Sequence, residues 1–244
     1  MKLRHSPSAL VIVEGTDIHH DLLGAALALQ EIVLEGGLPA ARAVGLDRFL
    51  DPMPATAEAD VYVLYRSSVS FHPAQQEALS ALVAAGKGLV AVHASNLFGF
   101  GPGGLAADRA AHELVGSRYV SHGDAGSEGR LEVTVRGGHP VTRYLDDFAI
   151  DDEYYVLDCA PDVQVLAERP AGEGTEPIAY VREHGAGRVC YTALGHDARA
   201  WGNPWFRQLI RQATLWAAGV EDDVIASWST RWPLGNARFI GAAT

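Results

Sequence analysis

The sequence has few cysteines, no basic cluster and no long apolar run. Only two of its 244 residues are cysteines, which excludes a disulfide framework and a cysteine-based zinc motif. No stretch approaches the roughly 20 apolar residues that a membrane-spanning helix needs. The formal net charge is −11, so binding of nucleic-acid phosphates is not expected. The first apolar run, residues 9–13, is too short for a signal peptide, and we expect a cytoplasmic protein without nucleic-acid or membrane partners.

Two common signatures of catalysis and cofactor binding are also missing. There is no Gly-x-Ser-x-Gly elbow, and Ser95 lacks flanking glycines, so a hydrolase that uses Ser95 is the least favoured option. The turn after the first apolar run, residues 14–17, has a single glycine. The sequence therefore lacks the glycine-rich phosphate cradle of dinucleotide-binding proteins at that turn.

Short apolar runs alternate with amphipathic stretches over the first hundred residues. This alternation predicts a parallel, doubly wound α/β sheet. The second half is richer in strands, and Asn203-Pro204 begins a final helix. With no repeat and no linker, we predict a single domain over residues 1–244, with a core at 9–219 and a tail at 220–244. The predicted strands cover residues 9–13, 40–44, 60–65, 88–92, 131–135, 153–157, 163–167, 178–182 and 188–194.

Five of the ten histidines lie where a strand ends or a turn begins. The carboxyl ends of parallel strands share one edge of a sheet, so His19, His20 and His93 are expected to converge there. Strand order cannot be read from spacing, so it stays open whether His122 and His196 join them. The alternative for each is a loop histidine that bonds only to backbone.

Carboxylates near these histidines bear on acid–base and metal chemistry. Asp151, Asp152 and Glu153 crowd together before an apolar run, and partial burial there would raise a carboxyl pKa, although a solvated surface run is the alternative. Histidines with a carboxylate fit a zinc or manganese site. Since no histidine pair has the local spacing of a known metal motif, the metal ligands stay unassigned.

Several segments together resemble the ThuA-like (trehalose utilization) family, which is related in fold to the class I glutamine amidotransferases. They occur in the family's order across residues 9–219, and the segment that ends in Leu-Gly-His-Asp is the most characteristic. The tail after residue 219 lies outside the resemblance. The matching segments are His19-His20-Asp21, residues 86–94, Tyr119-Val-Ser-His122, His139-Pro140-Val-Thr, Asp152-Glu153-Tyr-Tyr, residues 181–197, Asn203-Pro204-Trp-Phe and Trp216-Ala-Ala-Gly219.

The resemblance implies a flavodoxin-like, three-layer, mostly parallel doubly wound sheet of the class I glutamine amidotransferase-like type. It also implies that His93 occupies the place of the amidotransferase cysteine, so that glutaminase activity is absent. The family is associated with the use of trehalose and related sugars, including keto-sugars. The expected ligand is therefore a small sugar.

We accordingly expect an enzyme that acts on a disaccharide or keto-sugar by His/Glu acid–base chemistry. A divalent metal, zinc or manganese, and a homo-oligomeric state both stay open. The alternative is a non-catalytic sugar-binding or interaction module, in which aromatic residues such as Phe98, Phe100, Trp201 and Trp205 stack on a sugar. The expected catalytic residues are His93, His122, Glu153 and His196, and the expected substrate-binding residues are His19, His20, Asn96, Asp197 and Trp201.

Overall fold

A computed structural model describes residues 6–15, 20–67, 71–99, 104–124 and 126–221. His19 and residues 222–244 of the predicted tail lie outside the described residues. The strands are β1 (Ala9–Gly15), β2 (Ala40–Val44), β3 (Val61–Ser67), β4 (Gly88–Val92), β5 (Ser117–Ser121), β6 (Glu128–Val135), β7 (Phe148–Glu153), β8 (Val156–Cys159), β9 (Gln164–Ala171), β10 (Gly174–His184) and β11 (Gly187–Thr192).

Helices connect these strands and begin at residues suited to helix starts. Asp21 caps the first helix by accepting the N–H of Gly24, and Asn203 caps the last by accepting the N–H groups of Trp205 and Phe206. The helices are α1 (Leu22–Glu35), α2 (Pro54–Glu58), α3 (Pro73–Ala84), α4 (Gly104–Leu114), α5 (Ala198–Trp201) and α6 (Pro204–Ala217), with 3-10 turns at Leu46–Phe49 and His93–Asn96.

Within the described residues, nine strands form one mixed sheet in the order β2-β1-β3-β4-β11-β10-β9-β6-β7. The half from β2 to β11 is parallel, and the half from β11 to β7 is antiparallel. The predicted α/β class is confirmed. Strands β5 and β8 form a separate antiparallel pair.

The centre of the parallel half is buried along its whole length. Every residue of β3 and β4 is buried, which explains why these strands are apolar runs without alternation. Helices α1 and α6 contact each other and the parallel strands, whereas α3 contacts β10 and β11. Among the described residues, no helix is both long enough and apolar enough to span a bilayer.

One predicted strand, residues 153–157, is wrong. Strand β7 ends at Glu153, and the chain then leaves the large sheet so that β8, starting at Val156, pairs with β5. The two tyrosines between them do not continue a strand, and Tyr155 is buried at 3% exposure. A helix was also missed at α2, where Pro54 occupies the first turn and presets its backbone.

Close packing between β11 and the end of α3 requires the glycine at position 187. A Cβ there would overlap the carbonyl oxygens of Val83 and Lys87. We predict that Gly187→Ala lowers the free energy of unfolding by about 1–3 kcal/mol, the usual range for overpacking. In the matched control Gly137→Ala, the new Cβ meets no atom within 4 Å, and the change should stay within about 0.5 kcal/mol. Urea unfolding measures both, and equal losses would contradict the account.

Candidate functional site

Four side chains converge at one edge of the sheet. Each offers one ligand atom, and these four atoms all lie within 4.8 Å of one another. We call this group the His–Glu cluster. Its members are His20, His93, Glu153 and His196.

The three histidines of the cluster reach the site from the carboxyl ends of parallel strands. His20 lies beyond the end of β1, His93 directly follows β4, and His196 follows β11. Since β1, β4 and β11 run parallel, these ends lie at the same edge. The sequence prediction that His20 and His93 converge there agrees with this geometry, and the structure brings His196 to them.

Glu153 reaches the cluster from the opposite end of the sheet order. Strand β7 is the last strand of the antiparallel half, yet the Glu153 carboxylate lies 3.3 Å from Nε2 of His93. The antiparallel half therefore curls back over the carboxyl edge of the parallel half.

The buried carboxylate of Asp152 joins the two halves at this point. Its Oδ2 accepts the N–H of Gly195 at 2.7 Å, and its Oδ1 accepts the N–H of His196 at 3.2 Å and that of Glu153 at 2.8 Å. Burial raises the pKa of Asp152, although the charge of His93 and the three N–H groups act in the opposite direction. These bonds fix the end of β7 against the loop that carries His196.

His93 adopts an uncommon backbone conformation at the end of β4. Its φ of 56° lies in the left-handed region, which costs a non-glycine residue on the order of 1–3 kcal/mol. Two bonds hold it there: the Tyr191 hydroxyl donates to the His93 carbonyl at 3.0 Å, and Nδ1 of His93 lies 2.9 Å from the carbonyl oxygen of Ala193. The turn aims a fully buried imidazole at the site.

The hydrogen-bond network assigns the tautomer of neutral His93. The Ala193 carbonyl can only accept, so Nδ1 carries the proton and Nε2 is the acceptor. Nε2 then faces Glu153 Oε2 at 3.3 Å and Nδ1 of His196 at 3.4 Å. Nε2 of neutral His93 and the Glu153 carboxylate are both acceptors, so a proton or a cation between them would turn this close approach from repulsive to attractive.

Glu153 is held as a carboxylate. Burial alone would raise its pKa, but a hydrogen bond with His93 and the charges of His93, His196 and His122 outweigh it and lower the pKa. Its Oε1 lies 3.5 Å from Nδ1 of His196. The side chain is 16% exposed, so the group is sheltered yet close to the surface.

His20 and His196 have partners that hold their positions. Nδ1 of His20 lies 2.9 Å from the Ser67 hydroxyl, and the Tyr65 hydroxyl donates to the His196 carbonyl at 2.9 Å. The His20 ring lies 4.9 Å from the ring of His196 and 5.3 Å from that of His93, between centroids. The serine and the tyrosine come from the end of β3, so all four central parallel strands contribute to the site.

Tyr155 is a site residue that sequence reasoning missed. Its hydroxyl lies 3.1 Å from Nε2 of His93, and its ring lies 4.8 Å from the His93 ring. Burial raises its pKa well above the ordinary value, so the hydroxyl keeps its proton and is a hydrogen-bond donor at neutral pH. The only signal was its place in the Glu-Tyr-Tyr segment, where a strand was predicted.

Two predicted residues lie beside the cluster but outside it. Nδ1 of His122 lies 2.9 Å from the Tyr154 carbonyl, and its charge acts on Glu153. Asp197 caps α5 and pairs with Arg199 at 2.7 Å. The positive charge of Arg199 offsets the charge of the Asp197 carboxylate, which makes Asp197 a weaker ligand candidate than Glu153.

Of three further predicted residues, two bond to groups outside the cluster and one lies outside the described residues. The Asn96 side chain is buried, and its Nδ2 donates to the Ser117 hydroxyl at 2.9 Å. Trp201 is 5% exposed, and its indole N–H donates to the Gly195 carbonyl at 2.8 Å. His19 belongs to the part of the chain that the structure does not describe. Contact of these three residues with a substrate stays a prediction.

The arrangement supports proton transfer and cation binding. Imidazoles next to a carboxylate exchange protons near neutral pH, and the same nitrogen and oxygen donors are those that zinc-type ions prefer. The Tyr155 hydroxyl adds an uncharged hydrogen-bond donor. The cysteines do not enter the site: Cys190 is buried in β11, and Cys159 ends β8.

Comparisons with known proteins support one family. The family model ThuA, described as trehalose utilisation, matches residues 8–217. No curated protein matches the chain. A ThuA-like protein from Parabacteroides merdae is 17% identical with a TM-score of 0.68, and the match covers 87% of this chain and 90% of that one. A ThuA-like protein from Bacteroides uniformis is also 17% identical, with a TM-score of 0.65 and coverage of 89% and 94%.

The same fold also occurs within a larger protein. A β-galactosidase from Bacillus circulans sp. alkalophilus is 15% identical with a TM-score of 0.62. The match covers 89% of this chain but 32% of the β-galactosidase. At such identities these likenesses concern the fold alone.

Neighbouring aspartates on β7 allow a test of the clamp, by which we mean the hydrogen bonds from Gly195, His196 and Glu153 to the Asp152 carboxylate. Asp152→Asn should lower the free energy of unfolding by about 1–3 kcal/mol, because the amide NH₂ would face either the N–H of Gly195 or the N–H groups of His196 and Glu153. In the control Asp151→Asn, an exposed ion pair with Arg130 is lost, which costs about 0–1 kcal/mol. Urea unfolding separates the two, and equal losses would contradict the clamp.

The lowered pKa of Glu153 predicts a pH dependence of stability. A carboxyl with a depressed folded pKa stabilises the fold above its ordinary value of 4.5 and loses that contribution as the pH falls through the folded value. The difference in unfolding free energy between wild type and Glu153→Gln should therefore shrink from about pH 6 to about pH 3. Urea unfolding across this range measures it, and a constant difference would refute the assignment.

Proposed function

The chain belongs to the ThuA (trehalose utilisation) family, and we propose that it is an enzyme that acts on a disaccharide or keto-sugar by His/Glu acid–base chemistry. The observation that carries the proposal is the convergence of three imidazoles and a carboxylate within 4.8 Å at the carboxyl edge of the sheet. Family membership supports the sugar, and the cluster supports the proton transfers.

The proposed reaction is proton transfer next to a carbonyl or at a glycosidic oxygen. Glu153 stays ionised at neutral pH, so its part is to orient the imidazoles and stabilise whichever one is protonated. His93 and His196 are the groups that take up and return the proton. Tyr155, with its raised pKa, donates a hydrogen bond to oxygen without giving up its proton.

We expect no glutaminase activity. His93 follows β4 at the turn where the amidotransferase-like resemblance expects a nucleophilic cysteine, and an imidazole there favours acid–base over covalent chemistry. Burial raises the pKa of the Cys159 thiol to about 11, which makes it a poor nucleophile. The strand order β2-β1-β3-β4 supports the flavodoxin-like, class I glutamine amidotransferase-like layout that we propose.

The non-catalytic sugar-binding module is less well supported. The aromatic residues invoked for stacking include Phe98 and Trp201, which are 1% and 5% exposed and so have little face to offer a sugar. Phe100 lies outside the described residues. A cytoplasmic location, the single domain and a homo-oligomeric state stay predictions.

Substitution of the cluster tests the proposed function. Turnover is first assayed on mono- and disaccharides and their 3-keto forms, ranked by thermal-shift binding. Three substitutions should each lower kcat by about 10²–10⁴, the usual contribution of acid–base groups: His93→Ala, Glu153→Gln and His196→Gln. Asp151→Asn, on the same strand as Glu153, should keep full activity because its carboxylate faces Arg130 at the surface. Full activity in all three folded cluster variants would refute the site.

A further inference from the structure

We propose that the His–Glu cluster is a binding site for one divalent transition-metal ion, with Zn²⁺ the best fit. The inference goes beyond the proposed function, because it concerns the cluster whether or not the substrate is a sugar. A nitrogen that holds an ion cannot also take up a proton, so with zinc bound His93 Nε2 and His196 Nδ1 would be ligands, and the ion would polarise the substrate oxygen in their place. Neither the family description nor the fold likenesses assign a metal to these residues. The case has three parts: the spacing of the donor atoms, their bonding outside the site and the local charge.

The spacing of the donor atoms matches tetrahedral zinc. Zinc–nitrogen and zinc–oxygen bonds of about 2.0–2.1 Å place the ligand atoms of a tetrahedron about 3.3–3.4 Å apart. The separations here are 3.3 Å for His93 Nε2 to Glu153 Oε2, 3.4 Å for His93 Nε2 to His196 Nδ1, and 3.5 Å for His196 Nδ1 to Glu153 Oε1. The two nitrogens thus lie at the ligand–ligand spacing of zinc, and each lies at that spacing from one oxygen of the Glu153 carboxylate.

Bonds outside the cluster orient two of the imidazoles. Nδ1 of His93 lies 2.9 Å from the Ala193 carbonyl, which leaves Nε2 as the donor toward the cluster. His20 uses Nδ1 toward the Ser67 hydroxyl, so Nε2 is the nitrogen that it would offer to an ion. Metal-binding histidines commonly have this outer partner, which fixes the ring and its tautomer.

The charge around the cluster favours a cation. Glu153 and the buried Asp152 bring two carboxylates to a site whose other members are imidazoles. Repulsion between the acceptor atoms of neutral His93 and Glu153 is relieved by a bound divalent ion. Three imidazoles also favour zinc over magnesium or calcium, which prefer oxygen ligands.

Tyr155 is suited to act beside the ion. Its hydroxyl lies 3.1 Å from Nε2 of His93, the nitrogen that would coordinate. With that lone pair engaged by a metal, the hydroxyl would no longer have Nε2 as an acceptor but would remain beside the ion as a hydrogen-bond donor. Tyr155→Phe should therefore keep zinc binding, unlike substitution of a ligand.

Zinc titration of the full chain tests the site. Protein stripped with a chelator is titrated with Zn²⁺ in competition with a chromophoric chelator, and we expect one equivalent per chain. Glu153→Gln and His196→Gln should each weaken binding at least about 100-fold, since even outer-shell losses reach that size. The matched control Asp151→Asn, on the same strand as Glu153 but paired with Arg130 at the surface, should keep the wild-type affinity. No stoichiometric zinc in wild type, or full affinity in both ligand variants, would overturn the proposal.

Co²⁺ bound to the wild type gives a second readout that needs no variant. A four-coordinate site predicts the intense visible absorption of tetrahedral cobalt, and the weak spectrum of six-coordinate cobalt would overturn the tetrahedral site.

The proposed function and the proposed metal site can fail independently of each other. Zinc binding without turnover of any sugar overturns the proposed function alone, and sugar turnover by a protein that binds no zinc overturns the metal site alone.

Discussion

The carboxylate of Asp152 is the interaction on which the site depends. It is 1% exposed and accepts N–H groups from Gly195, His196 and Glu153, which lie on two segments far apart in the sheet order. It joins the end of β7 directly to the loop after β11, in addition to the bond from Asn203 Nδ2 to the carbonyl of Ala149 in β7. Because a buried carboxylate without donors is costly, these bonds allow little relative movement of Glu153 and His196.

The rigid parallel half supplies the other side of the site. Strand β4 is wholly buried, and its chain turns at His93 into a left-handed conformation that the Tyr191 hydroxyl and the Ala193 carbonyl stabilise. Such strain is retained where the surroundings over-determine it, often at functional sites. A strained, fully buried histidine at a strand end is hard to explain as a loop residue that merely bonds to backbone.

The sequence predicted the half of the site that depends on local rules. Apolar runs, helix caps and the shared edge of parallel strands sufficed for the α/β class and for His20 and His93 at one edge. Glu153 was named, but its contact with His93 depends on the curl of the antiparallel half, which no spacing encodes. The sequence presents Asp152 only as one of three crowded acids. Tyr155 lies within the predicted strand at residues 153–157, whereas the observed strand β7 ends two residues before it, at Glu153.

The central claim is that side chains from β4, β7 and β11 form one cation-binding and proton-transfer centre. A crystal structure of the zinc-soaked protein, with diffraction data collected at the zinc absorption edge, tests it most directly. The account predicts one anomalous peak within bonding distance of His93 Nε2, His196 Nδ1 and the Glu153 carboxylate. A cluster whose side chains point apart, or zinc bound only elsewhere on the chain, would contradict it.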